Sequence, residues 1–114
     1  MRAGNLEIAM GSGHLCDEAF VAAFEACTLP NTQFHHADHV RLAWILVRSD
    51  GEAQATERIA TAIRRFATHN GAPGKYDDAL TRAWMRRIAE AVKQSPQVGT
   101  FEDFAEEHRG LLKK

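Results

Sequence analysis

The stretch FHHADHVRLAW, Phe34 to Trp44, places His35, His36 and His39 directly ahead of an apolar run. On a helix, residues three and four apart share a face, so His36 and His39 align with Ala43 and Val47, with Val40 and Trp44 beside them. Asp38, Arg41 and Arg48 then fall on a more solvated side, and His35 drops off the line. Two neutral imidazoles one turn apart are metal donors that want a further ligand. The segment KYDDALTRAW offers one, because Asp77 lies three residues before Leu80 and seven before Trp84 and so extends a second apolar stripe. If both helices begin at the same end of the molecule, His36, His39 and Asp77 converge as a two-histidine, one-carboxylate set suited to zinc, iron, nickel or manganese. Arg41, Tyr76 and Thr81 would then stand where a small-molecule ligand could be contacted.

The same residues also have structural uses. His36 and Asp77 sit at expected helix starts, where a polar side chain accepts from unpaired backbone N–H groups and a carboxylate meets the positive end of the helix dipole. His39 could hydrogen-bond Asp77 with no metal between them. Two classes of function follow: a His/Asp ligand- or metal-binding protein, or a non-catalytic helical module for binding or homo-oligomerisation.

Other chemistry finds less support. GAPGKY is glycine-rich and carries Lys75, but it lacks the spacing and the preceding strand of a phosphate-binding loop. Cys16 and Cys27 are eleven residues apart, about three helical turns, which disfavours a disulfide and predicts small apolar fillers. Ser12, Ser49 and Ser95 lie in turn contexts without a nucleophile motif. His14, His69 and His108 are scattered and expected in solvent. Trp44 and Trp84 read as core anchors, with Arg41 expected to pair with Asp38 along the helix surface.

Two motifs carry a likeness: Phe34-x-His36-x-x-His39-x-Arg41-x-Ala43-Trp44 and Lys75-Tyr76-x-x-x-Leu80-Thr81-x-Ala83-Trp84. Together they resemble a family of small, all-helical bacterial proteins without an assigned function, over about Asp17 to Leu112. The resemblance implies an all-helical fold and attention to the motif positions, but no reaction. In that family His-Glu commonly follows the Lys-Tyr pair, whereas this chain has Asp77-Asp78, exchanging an imidazole for a carboxylate. Many relatives continue beyond the Leu-Leu pair, where this chain reaches Lys114.

The elements that must position these residues are legible from apolar spacing. With 114 residues, 45% apolar and 25% charged, the chain has the length and composition of one globular domain. Helical periodicity runs nearly throughout. A first helix is expected from an Asp17 cap, with Phe20, Val21 and Phe24 inward, until Leu29-Pro30. A second starts between Thr32 and Ala37 and runs to about Arg48. A third spans about Ala53 to His69 with Ala55, Ile59, Ala62, Ile63 and Phe66 on one stripe, stopped by Asn70-Gly71. A fourth runs from Asp77 to about Gln94, with Leu80, Trp84, Ile88, Ala91 and Val92 inward, and a short fifth follows a Thr100 cap. The expectation is an all-α, single-domain antiparallel bundle of about five helices over residues 14–114, preceded by a flexible arm over 1–13. NLEIAM within that arm reads as a short strand only if it pairs across a dimer.

Fourteen basic against fifteen acidic residues leave a net charge of −1, with arginines dispersed, so neither a nucleic acid nor an anionic-lipid footprint is present. Leu42 to Val47 is too short to span a bilayer, and the first residues lack the apolar core of a signal peptide. Two cysteines without a CxxC pair fit a reducing compartment. The sequence therefore predicts a soluble, cytoplasmic protein with no membrane partner.

Overall fold

The computed structural model describes residues 15–29 and 35–113; the expected arm, His14 and the NLEIAM segment lie outside them. Among the described residues five α-helices follow in order: α1 Asp17–Glu25, α2 His36–Asp50, α3 Glu52–His69, α4 Asp78–Gln94 and α5 Phe101–Glu107. Short 3₁₀ turns occupy Pro73–Lys75 and Arg109–Leu112, and no strand occurs among the described residues. The all-α bundle expected from periodicity is what forms.

Glycines set two of the reversals. Gly51, at φ 85°, is at once the last cap of α2 and the first cap of α3, so the chain turns around in a single residue. At the other end of α3, Gly71 takes φ 76°, with its N–H on Thr68 O and the Ala72 N–H on Ala67 O, the paired bonds that close a helix through a left-handed residue. Helix α1 closes in the same way, with Cys27 at φ 60° and the Thr28 N–H on Ala23 O. A cysteine takes the place that glycine would normally fill.

Cross-helix ion pairs record the directions. Along α4, Asp78 meets Arg64 and Arg82 meets Glu57, so α4 ascends while α3 descends. Helices α2 and α4 consequently run the same way, and they pack against each other as well as against α3. Arg58 of α3 grips Glu25 of α1 at 2.7 Å and Asp50 of α2 at 3.1 Å, joining three helices through one guanidinium.

Helix α2 is central. Val40, Leu42, Ala43, Trp44, Leu46 and Val47 are all buried, which is more of its circumference than a one-sided stripe would need. Phe20 and Phe24 of α1 are fully buried, as is Phe104 of α5, whose ring lies 6.0 Å from that of Trp44. Burying side chains of this size contributes about 1.5–3 kcal/mol each. The α3 stripe holds at Ala55, Ile59, Ala62 and Phe66, with Ile63 half-buried.

Several expectations about faces are corrected. Leu80 is not inward but 51% exposed, and Met85 and Ala89 are the buried α4 residues in its stead, because α4 is rotated to give its first turn to a cavity edge. Arg41 is not solvated: its guanidinium reaches the Leu15 carbonyl at 2.6 Å and Asp17 at 3.0 Å and lies 4.3 Å over the Phe20 ring. Cys16 is exposed and no apolar filler, while both cysteines are free thiols. His108 is half-buried, with Nε2 2.9 Å from Ser95 Oγ and its ring 4.9 Å from that of Phe104. Ser95 Oγ also donates to Glu107 at 2.9 Å, so this buried serine pins α5 against the end of α4.

Candidate functional site

Helices α2, α3 and α4 leave a cavity of about 380 Å³ where α2 and α4 begin. Its floor is apolar, built from Val40 and Ala43 of α2, Ile59 and Ile63 of α3, and Met85 and Ile88 of α4. Trp84 forms a wall and the exposed Leu80 stands at the mouth. Polar groups gather at the remaining edge: His35, His36 and His39 from α2, and Lys75, Tyr76, Asp77 and Thr81 from the approach to α4.

Of the residues singled out in the sequence, His36, His39, Tyr76, Asp77 and Thr81 all line this one cavity. They meet because two helices running the same way present their first turns together. Arg41 does not join them. It occupies the opposite flank of α2, where it is spent on α1.

The side chains at the edge are held in defined ways. The His36 ring lies 4.7 Å from Trp84 in a T-shaped arrangement, and its Nε2–H donates to the Leu111 carbonyl at 2.9 Å. That bond ties the cavity wall to the last 3₁₀ turn and leaves Nδ1 as the ring's acceptor nitrogen. Asp77 is the α4 cap: its carboxylate accepts the Leu80 N–H at 2.9 Å, while its carbonyl accepts the Thr81 hydroxyl at 2.9 Å. At the head of α2, Asp38 accepts the His35 N–H at 2.9 Å.

A charged chain braces the other side of the mouth. The Tyr76 hydroxyl donates to Asp78 at 2.6 Å, Arg82 donates to Asp78 at 2.8 Å and to Glu57 at 2.6 Å, and the Arg64 guanidinium lies 5.1 Å over the Tyr76 ring. The Arg82 hydrogen bond, and then that of Tyr76, holds the Asp78 carboxyl below its ordinary value. Arg82 does the same to Glu57. Burial, followed by the bond to Asp78, pushes the Tyr76 phenol up, so the ring stays a neutral donor.

Among the described residues, no three His, Cys, Asp or Glu side chains come together as a group able to hold a metal ion. His36, His39 and Asp77 share the cavity edge without closing into such a set.

Sequence reasoning missed the Leu111 partner of His36, which lies 75 residues away and has no local signal. It also missed Met85 and Lys75 as lining residues. Met85 was accessible in principle, since it follows Thr81 by one helical turn and so shares its face. Lys75 precedes Tyr76 in the second motif. No family model, curated protein or solved structure matches this chain.

Proposed function

We propose that this chain is a small-molecule-binding helical protein, whose ligand lays an apolar body on the floor of the α2–α3–α4 cavity and turns a polar end toward the residues at its edge. The single observation behind this reading is the composition of that cavity: an apolar floor, an aromatic wall and convergent polar groups confined to one side. At about 380 Å³ it falls within the ~300–1,000 Å³ of ordinary ligand sites. The likeness to the bacterial helical family agrees with it, because His36, His39, Ala43, Lys75, Tyr76, Leu80, Thr81 and Trp84 of the two motifs line the cavity. The free thiols fit the cytoplasm as the place of action.

Filling the cavity tests the reading. Ala43→Leu adds apolar volume at a buried lining position. It is expected to keep or raise the melting midpoint while abolishing the midpoint rise that apolar-bodied ligands cause in the parent. A ligand at a hundred times its dissociation constant contributes ~2.7 kcal/mol, roughly 10–20 degrees in a domain of this size. A filled variant that binds as well as the parent would remove the cavity as the site.

A second reading has one observation in its favour. The His36 Nε2–H donates to a backbone carbonyl, the arrangement that orients an imidazole for a metal at its other nitrogen. We propose His36, His39 and Asp77 as the ligands of a divalent transition metal on this reading, which requires their side chains to draw together on binding. Zinc, iron(II), nickel and manganese added singly to chelator-stripped protein would each have to leave the midpoint unmoved to dismiss it.

A further inference from the structure

We infer that the ligand is an amphipathic carboxylic acid, a small apolar chain or ring ending in one carboxylate that sits against Lys75. This inference rests on the small-molecule reading above and adds the chemistry of the polar end. The floor, from Val40 to Ile88, can satisfy no charged or hydrogen-bonding group, so any polar atom of the ligand must lie at the edge.

At that edge each carboxylate already accepts at least one hydrogen bond. The Asp77 carboxylate takes the Leu80 N–H, Asp38 takes the His35 N–H, and Asp78 is held by Tyr76 and Arg82. Three donors are engaged as well: the Thr81 hydroxyl on the Asp77 carbonyl, the Tyr76 hydroxyl on Asp78 and the His36 ring on Leu111. Lys75 is the exposed cationic donor beside the mouth, whereas the His35 ring lies 3.7 Å from Asp38. Lys75 brings a full positive charge, whereas the opposing charge of Asp77 is turned to its own helix cap. A cationic donor beside carboxylates that each already hold a donor selects an anionic head. The modest cavity limits the ligand to one such head and a short apolar body.

The test compares octanoate, octan-1-ol and octylamine, which share one apolar chain and differ only in the head. Each is titrated into the full chain near neutral pH and low salt, with tryptophan fluorescence as readout, and repeated on Lys75→Glu and Ala43→Leu. Octanoate is expected to bind about fivefold tighter than octan-1-ol, the scale of one exposed ionic contact, with octylamine weakest. Lys75→Glu should reverse the order of the two charged ligands without moving the midpoint of the ligand-free protein. Octan-1-ol matching octanoate, or an order unchanged by Lys75→Glu, overturns the acid preference. If the ligands still bind in that case and Ala43→Leu abolishes it, the small-molecule reading stands alone. Binding by none of the three, or binding indifferent to Ala43→Leu, overturns both.

Discussion

Arg41 illustrates how one side chain can be recognised as special while its distant partners go unread in the sequence. Its position beside the histidine line made it a candidate ligand contact, and its distance from Asp38 suggested a surface pair. In the structure only 12% of its side chain is exposed, and it joins α2 to Leu15 and to Asp17 at the head of α1 while stacking on Phe20. Removing a charged donor from such a place costs about 2 kcal/mol. Arg41→Ala is therefore expected to lower the melting midpoint by roughly 10 degrees while leaving ligand affinity in the α2–α3–α4 cavity intact. Arg41→Lys should recover less than half of the loss, since a single ammonium cannot serve both acceptors and the ring. A midpoint unchanged in Arg41→Ala, or a loss of cavity binding, would contradict this assignment.

At the scale of elements, arginines on α3 and α4 act as cross-braces. Arg58 lowers the carboxyl of Glu25 chiefly by hydrogen bonding, Asp50 is lowered by Ser49 and then Arg58, and Arg82 lowers both Glu57 and Asp78. A carboxyl held below its unfolded value favours the ionised, folded state. Its contribution is complete above that unfolded value and is lost as the pH falls through the folded one. With ordinary values of 4.5 for glutamate and 3.8 for aspartate, the loss begins below about pH 4.5 and continues downward. The melting midpoint should hold level above that pH and decline beneath it. Arg82→Gln, which removes the guanidinium from Glu57 and leaves Asp78 with Tyr76 and Arg64, should make the decline shallower. An acid limb of the same steepness in parent and variant would show that these braces add nothing to stability.

On the scale of the whole molecule, a radius of gyration of 13.9 Å is close to the ~13 Å of a compact 100-residue domain, and no described helix is long and apolar enough to cross a membrane. The exposed Leu80 distinguishes the two classes of function raised by the sequence. If it guards a ligand cavity, Leu80→Ser should weaken binding of an apolar-bodied ligand and leave the elution volume unchanged across concentration. If this face instead joins copies of the chain, the parent should elute above the monomer mass and the variant at it. Light scattering coupled to gel filtration separates these outcomes.

Helix existence and order were readable from the chain because each signal is local. Apolar spacing marked α3 from Ala55 to Phe66, Asn70-Gly71 marked its stop, and Thr100 marked the head of α5, where its hydroxyl accepts the Asp103 N–H. The chain also identified the residues that came to share a cavity, since His36, His39, Tyr76, Asp77 and Thr81 lie in or just ahead of the first turns of two helices and needed only a common end to meet. Whether they met depended on α2 and α4 running the same way, which follows from two reversals around α3. The tertiary structure alone decided what each group does there, because hydrogen bonding is settled by distance in space. Asp77 became a cap, His36 was tied to Leu111, Arg41 was drawn to α1, and the rotation of α4 turned Leu80 outward and Met85 inward.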